Sequence, residues 1–321
     1  MADTSLVGKP RIRIPAWLRI TLGVAVVAAT FYFLIGRLVT DWNKVPWHEI
    51  HLSVPLLVIA FAILLLGYIP VFGITWKVLL AGLGEKLPAV SAVAIIAVSQ
   101  LGKYIPGKVW FTLGRIYLAK RHGIPESKSA VSAVMEIGFA LLTALMLFAL
   151  TVLLLPTGQA PAQVYLAFIF VPFCLLIIYP PVLRRIANFV LRKLRQPAID
   201  IRLSFGRIAA LVGLYLSMWL AQGIGFFVLI NSFYRLSVTQ LPVVVGGYAL
   251  AWILGFITLI SPAGLGIREG ILTFALRLVM PEPVAIIAAL LGRVWITVAE
   301  ALAAGIMAFF LRRRQQETEA R

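Results

Sequence analysis

The chain has 321 residues, of which 61% are hydrophobic and only 13% are charged, with a mean hydropathy of +0.99. A soluble domain of this size needs about a quarter of its residues charged to cover its surface, so the composition excludes a soluble globular protein. The net charge of +17 does not indicate nucleic-acid binding, because the basic residues stand in short segments between long apolar runs, as in membrane proteins.

Long apolar runs predict the spanning helices of the first half, and the charges between the runs predict their direction. Lys9, Arg11 and Arg13 precede the first run, so the N-terminus is expected in the cytoplasm. One helix leads outward and a second returns. A run too short to span is then broken by glycine and proline and resumes, which we interpret as a re-entrant hairpin from the cytoplasm. After a third outward helix, the predicted segments of this half are residues 17–39, 54–80, 89–119 and 130–155.

The second half repeats this order and begins on the outside. After an uncharged turn at 156–161, a helix returns to a basic linker at 183–207, which carries seven Arg or Lys residues against Asp200 alone. A further helix leads outward, a second interrupted stretch enters and leaves on the outside, and the last helix ends inside at three consecutive arginines. The predicted segments are residues 164–182, 208–233, 243–280 and 284–311.

Two halves with the same order and opposite orientation, residues 17–160 and 163–311, indicate inverted repeats within one transmembrane domain, residues 1–321. The predicted fold is an all-α polytopic membrane protein with six spanning helices, two re-entrant helical hairpins and both termini in the cytoplasm. An alternative count makes each hairpin two short crossing helices. The expected location is the inner (plasma) membrane of a bacterial cell.

The break in the first hairpin places two cations near its predicted tip. Non-helical backbone at membrane depth is tolerated only where protein or water covers it, and the second arm begins with free N–H groups. These features favour an anion such as a lipid phosphate; the alternative is that the lysines snorkel to the interface. The residues of this segment that we single out are Gly102, Lys103, Tyr104, Pro106, Gly107 and Lys108.

The break in the second hairpin combines glycines and a proline with an adjacent basic and acidic residue. Two adjacent side chains on a helix point about 100° apart, so each needs another partner inside the bundle. The alternative is a loop whose ion pairs only hold the hairpin in place. The residues concerned are Ser261, Pro262, Gly264, Gly266, Arg268 and Glu269.

Glu136, Arg293 and Glu300 lie inside predicted spanning helices. Ionisable groups in a membrane span are costly, face the interior and mark functional sites. A titrating Glu136 or Glu300 is an alternative that would couple transport to protons. The expected ion pairs are Glu136 with Lys103 or Lys108, and Arg293 with Glu269.

Signatures of an enzyme are weak. His48, Glu49 and His51 fall one residue short of the zinc-protease spacing and lie in a predicted external loop. Asp41 and Glu49 resemble the acidic loop of membrane glycosyltransferases only weakly, because the loop is short. We therefore predict no catalytic residue, no metal and no cofactor.

The segments Gly102–Trp110 and Ser261–Gly270 resemble the lysylphosphatidylglycerol synthase transmembrane-region family, also called the flippase-like domain family. The resemblance extends over residues 19–311, and Glu136 and Arg293 resemble the intramembrane acid and base of the family. It implies a flippase-like role in moving a lipid across the membrane. Because the chain ends at Arg321, we expect a stand-alone member without the synthase domain of its two-part relatives.

The sequence therefore predicts a non-enzymatic protein that binds and translocates an anionic lipid, a phospholipid or a polyprenyl phosphate. The alternatives are a membrane enzyme or accessory subunit of lipid-linked glycan metabolism, and an envelope scaffold without transport. The expected partner is a lipid with an anionic headgroup, and a second copy of the chain or an envelope-biosynthesis protein is left open. The predicted lipid-binding residues are Lys103, Tyr104, Gly107, Lys108, Ser261, Arg268 and Arg293.

Overall fold

In the part of the chain that it describes, the computed structural model consists of helices joined by loops, without strands. That part comprises residues 16–105, 109–154, 172, 176, 179–193, 203–258 and 264–319. The helices are α1 (Ala16–Thr40), α2 (Val54–Ala62), α3 (Ile69–Gly82), α4 (Ala89–Gln100), α5 (Trp110–Lys120), α6 (Glu126–Leu153), α7 (Pro180–Lys193), α8 (Phe205–Asn231), α9 (Leu241–Ile257), α10 (Ile267–Leu276) and α11 (Glu282–Glu319).

Five helical stretches in the described residues are long and apolar enough to cross a membrane, so the protein is a polytopic helical membrane protein, as predicted. Four of them match the predicted spans at 54–80, 130–155, 208–233 and 284–311. The predicted helix at 164–182 and the turn before it lie mostly outside the described residues. The five stretches are Val54–Gly82, Glu126–Leu153, Phe205–Asn231, Val238–Ile257 and Glu282–Phe310.

The fifth stretch, Val238–Ile257, is the first arm of the predicted second hairpin. It has 20 residues, which is long enough to cross a hydrocarbon core, whereas the first arm of the first hairpin belongs to a shorter apolar helix, Ala89–Tyr104. The structure thus supports the alternative count for this one arm. The number of crossings and the depth of both hairpins stay predictions.

A π-helical turn at Ile63–Tyr68 joins α2 to α3 into one long helix. Pro70 stands in the first turn of α3, where it has no N–H to donate and its ring excludes the carbonyl four residues earlier. Such local rearrangements of the helical ladder are frequent at functional sites. Here the turn ends at Tyr68, a buried side chain that lines a cavity together with residues of both predicted hairpins.

Loops predicted to share a side of the membrane contact one another. The backbone N–H of His51, before α2, donates to the carbonyl of Phe233, after α8, at 3.0 Å. His51 lies in a predicted external loop, and Phe233 is the predicted external end of a spanning helix. Lys128 forms an ion pair with Glu85 at 2.6 Å, and both of these lie in predicted cytoplasmic loops. The grouping of loops into two faces agrees with the predicted topology, while the identity of each face stays a prediction.

The two predicted hairpins are pairs of packed helices, α4 with α5 and α9 with α10. In the second pair, the side-chain amide of Gln240 at the start of α9 donates to the carbonyl of Val279 just after α10, at 3.3 Å. The two ends of this pair therefore lie at one face, as a hairpin requires. The hairpin residues outside the described part of the chain are Pro106, Gly107, Lys108, Ser261 and Pro262.

Close backbone approaches explain the glycines in both breaks. A Cβ on Gly102 would lie 2.6 Å from the backbone nitrogen of Phe111, so only glycine lets the two arms of the first hairpin meet. Gly264 has a φ of 70°, and a Cβ there would lie 2.9 Å from the carbonyl oxygen of Gly255 in the opposite arm. Gly266 also has a positive φ, 86°. These approaches support the prediction that the glycines shape the hairpins, which stays a prediction.

Replacing Gly264 by alanine is expected to lower the free energy of unfolding by about 2 kcal/mol or more, because a left-handed L residue alone costs roughly 1–2 kcal/mol and the Cβ would also meet backbone. Unfolding of the purified protein by SDS, followed by tryptophan fluorescence, measures this change. Gly138→Ala is the matched control: it lies inside α6 with no atom within 4 Å of the added Cβ, and it is expected to be neutral or stabilising. Equal stability of the two variants would contradict the role of Gly264.

The two predicted halves contact each other through equivalent helices. The first arm of each hairpin lies against the last helix of the other half: α4 packs on α11, and α9 packs on α6. Within each half, the second arm packs on the helix that follows it, α5 on α6 and α10 on α11. This reciprocal pattern agrees with the division at 17–160 and 163–311, and both the division and its inverted orientation stay predictions.

Candidate functional site

A cavity of about 330 Å³ lies between the two halves. Its walls come from both hairpins, from α6 and α11, and from the π-turn and α8. Most of the lining is aromatic or apolar, and four charged side chains face it: Lys103, Glu136, Arg268 and Arg293. A concave, largely apolar space with a few convergent charges is the usual form of a binding site.

The break of the first hairpin is tied to the last helix through Glu300. Lys103 Nζ donates to Glu300 Oε1 at 2.5 Å, and the hydroxyl of Tyr104 donates to Glu300 Oε2 at 2.7 Å. Glu300 is only 3% exposed. Residues 293, 297 and 300 are spaced by four and three, so Arg293 and Thr297 lie on the same face of α11 as Glu300. This face meets the first hairpin because α4 packs on α11.

Lys103 was expected to pair with Glu136, and that prediction is wrong. Glu136 instead accepts a hydrogen bond from Arg115 Nη1 at 2.5 Å, and the second predicted partner, Lys108, lies outside the described residues. The physical reason is that the end of the first arm, with Lys103 and Tyr104, contacts α11 of the other half, while the second arm contacts α6.

Arg115 is a residue that the sequence analysis missed. Its side chain is fully buried, and its guanidinium lies over the ring of Trp76 at 5.6 Å and over Phe72 at 5.9 Å from the ring centroids. The available signal was that Arg115 is the sole charge in the apolar run 109–119. Such a charge inside a span is rarely tolerated unless it is paired.

The predicted pair of Arg293 with Glu269 is confirmed, with Arg293 Nε 3.8 Å from Glu269 Oε1. The other carboxylate oxygen of Glu269 accepts from the backbone N–H of Gly266 at 2.6 Å, which caps the start of α10. The Arg293 guanidinium also lies over the Tyr104 ring, 5.5 Å from its centroid. Glu269 therefore fixes both the break of the second hairpin and the cavity-facing Arg293.

The two intra-half ion pairs occupy equivalent positions with reversed polarity. In the first half the second arm supplies the base, Arg115, and the next helix supplies the acid, Glu136. In the second half the second arm supplies the acid, Glu269, and the next helix supplies the base, Arg293. Each half thus fixes its hairpin to its own last helix by one buried pair.

Arg268 stands apart from these pairs. Its guanidinium lies over the ring of Tyr248, 4.6 Å from the centroid, and faces the cavity. Among the described residues, no carboxylate lies within ion-pair distance of it. As predicted, Arg268 and its neighbour Glu269 do not pair with each other. The described site therefore contains one more basic than acidic side chain, an arrangement that favours an anion. The basic residues are Lys103, Arg115, Arg268 and Arg293, and the acidic ones are Glu136, Glu269 and Glu300.

Three of the seven predicted lipid-binding residues line the cavity: Lys103, Arg268 and Arg293. The Tyr104 ring lies beneath Lys103 and Arg293. Gly107, Lys108 and Ser261 lie outside the described residues. The sequence did not identify several further cavity residues, which are polar or aromatic side chains without a local motif: Tyr68, Gln100, Thr112, Gln222 and Trp252.

In the predicted external loop after α1, Asp41 and Glu49 each contact a nearby basic side chain or histidine. Lys44 Nζ lies 2.6 Å from Asp41, and its hydrogen bond and charge hold the pKa of that carboxyl below its usual range. Glu49 lies 3.5 Å from His48 Nε2. Within the part of the chain that the structure describes, no three His, Cys, Asp or Glu residues converge to hold a metal ion.

The family model described as the lysylphosphatidylglycerol synthase TM region matches residues 20–305. The matched region contains both hairpins, the residues that line the cavity and the three ion pairs Lys103–Glu300, Arg115–Glu136 and Glu269–Arg293. A comparison with curated proteins finds no match. Because the family match covers most of a chain whose helices are apolar and long enough to cross a membrane, this integral, multi-pass membrane protein belongs to the lysylphosphatidylglycerol synthase transmembrane-region family.

Proposed function

We propose that this protein binds the phosphate of an anionic membrane lipid in the central cavity and carries the lipid between the two leaflets without chemical change. The observation that carries the proposal is Arg268, a cavity-facing guanidinium with no carboxylate partner among the described residues. A lone charge within the membrane is costly, and a bound anion offsets that cost. The positive-inside pattern of the basic segments supports an orientation typical of a bacterial inner membrane.

Phosphate suits the cations that face the cavity. Guanidinium groups bind phosphate oxygens through two parallel hydrogen bonds, and Arg268 and Arg293 both line the cavity. Lys103 supplies a third cation, which Glu300 holds at 2.5 Å. The flat aromatic surfaces beneath these cations orient them without neutralising their charge. A lipid phosphate would therefore meet several positive groups.

The distribution of ion pairs supports movement of one half against the other. The pairs Arg115–Glu136 and Glu269–Arg293 lie within a half and keep each hairpin fixed to its own last helix. The contact of Lys103 and Tyr104 with Glu300 instead joins the two halves. In the proposed cycle the phosphate competes with Glu300 for Lys103, so binding loosens the connection between halves that then rock as rigid bodies.

Native mass spectrometry of the gently purified protein, with identification of the retained lipids, tests the proposal. The wild type is expected to retain one class of anionic lipid, and Arg268→Gln is expected to lose it. Arg277→Gln is the matched control, because Arg277 lies at the end of the same helix, 50% exposed and beside Glu282. This variant should retain the lipid of the wild type.

Vesicles carrying the reconstituted protein and a fluorescent analogue of the retained lipid then measure translocation through reduction of the outer-leaflet dye. Wild type and Arg277→Gln should expose the inner-leaflet lipid, and Arg268→Gln should not. If all three proteins carry the same unselective lipid mixture and none moves the analogue, the proposal is wrong and a role as an envelope scaffold is favoured.

A further inference from the structure

Three aromatic side chains that line the cavity contact one another. Trp252 and Phe256, four residues apart on α9, stack with their ring centroids 5.2 Å apart and their planes at 12°. Trp219 of α8 meets Trp252 edge to face, with ring centroids 4.7 Å apart. The indole N–H of Trp219 donates a hydrogen bond to the carbonyl of Ala140. All three rings line the cavity. These rings thus offer apolar aromatic contacts in the same space as the cations Lys103, Arg268 and Arg293.

Polar side chains with free hydrogen-bonding capacity share this space. Gln100 at the end of α4 and Thr112 in α5 line the cavity, and neither side chain forms a hydrogen bond with a described residue. Gln222, 4% exposed, accepts a long contact from the hydroxyl of Tyr248, at 3.4 Å, and no other described residue donates to it. Amides and hydroxyls inside a membrane protein need partners, since an unpaired buried polar group costs several kcal/mol in hydrocarbon.

We infer that the lipid carries a hexose attached to its phosphate and that this cavity binds the sugar ring. The inference rests on the proposed function and names the class of headgroup. A pyranose ring has an apolar face of C–H groups that packs on an aromatic surface, and a rim of hydroxyls that pair with amides and hydroxyls. Trp252 and Phe256 supply the first, and Gln100, Thr112 and Gln222 supply the second.

An acyl chain fits the same space less well. It would cover the aromatic rings but leave Gln100 and Thr112 without hydrogen-bond partners. A bare phosphate would fill only part of the cavity and would leave the aromatic rings without a contact. The volume of about 330 Å³ is at the lower end of ligand sites, which suits one sugar ring with its phosphate.

Calorimetric titration of the protein in lipid nanodiscs tests the inference with inorganic phosphate, a panel of hexose 1-phosphates (glucose, galactose and mannose) and dioctanoyl phosphatidic acid. At least one hexose 1-phosphate is expected to bind about tenfold or more tighter than inorganic phosphate, as two or three added hydrogen bonds provide. Gln100→Leu should remove most of this preference, and its unfolding in SDS should match that of the wild type, which shows that the variant is folded. Gln240→Leu, a glutamine at the start of α9 outside the cavity, should behave as the wild type.

The two proposals fail in different ways. If no hexose phosphate binds better than inorganic phosphate, while Trp252→Leu weakens binding of dioctanoyl phosphatidic acid, the aromatic rings hold an acyl chain. The sugar inference is then wrong and the lipid-binding function stands. If the wild type binds none of the three kinds of probe, the proposed phosphate site is wrong, and the sugar inference falls with it.

Discussion

Replacing Arg115 by methionine is expected to lower the free energy of unfolding by about 3–5 kcal/mol, because it leaves the carboxylate of Glu136 buried without its partner. The guanidinium is fully buried and lies 2.5 Å from that carboxylate, and it also packs on Trp76. The double variant Arg115→Met/Glu136→Gln removes both charges and should recover most of the lost stability. Unfolding in SDS, followed by tryptophan fluorescence, measures all three proteins.

The exposed pair of Lys120 with Glu126 provides the matched control. Its nitrogen and oxygen lie 2.6 Å apart, nearly the distance of the buried pair, but its side chains are 67% and 58% exposed. Lys120→Met should therefore cost less than about 1 kcal/mol. An equal loss for Lys120→Met and Arg115→Met, or a double variant no more stable than Arg115→Met, would show that the buried pair does not hold the first hairpin to α6.

The positions of the helices could be predicted from the sequence because membrane thickness sets the length of an apolar run. The predicted spans 54–80 and 208–233 agree closely with Val54–Gly82 and Phe205–Asn231. The glycines of the breaks were also predictable, since few other residues tolerate such turns. The extension of α11 to Glu319 was not, because its last turns are polar and leave the apolar pattern.

The ion pairs were predictable only where chain proximity and packing agree. Glu269 and Arg293 lie on consecutive helices of one half, and this pair was predicted correctly. The partner of Lys103 depends on which half the tip of the first hairpin approaches, and no local pattern carries that information. Only the packing of α4 on α11 brings Lys103 to Glu300. For the same reason the aromatic rings of the cavity could not be predicted, because they come from two different helices, α8 and α9.

The reversed polarity of the intra-half pairs has a consequence for the cavity. Glu136 and Arg293, at equivalent positions on α6 and α11, both line the cavity, so one acidic and one basic side chain face the same space. Each of them is paired with a residue of its hairpin, so the net positive charge that a ligand meets comes from Arg268 and from Lys103 once Glu300 no longer holds it. Ligand affinity should therefore be most sensitive to changes at these two places.

Replacing Glu300 by glutamine is expected to tighten the binding of an anionic lipid about 10- to 100-fold, since it removes a carboxylate that competes with the lipid phosphate for Lys103. Titration of dioctanoyl phosphatidylglycerol into the detergent-purified protein measures the affinity. Tyr104 keeps a hydrogen-bonding partner in the glutamine, so the hairpin should stay in place.

Two further variants assign this effect to Lys103. In Lys103→Met/Glu300→Gln the cation that Glu300 masks is also absent, so the affinity should return close to that of the wild type. Glu282→Gln removes a carboxylate at the beginning of the same helix, where it pairs with Arg277 outside the cavity, and should leave the affinity unchanged. If Glu300→Gln binds the lipid no more tightly than the wild type, Lys103 does not face the phosphate. Its contact with Glu300 would then serve only to join the two halves, and Arg268 and Arg293 would be the remaining candidates for the headgroup.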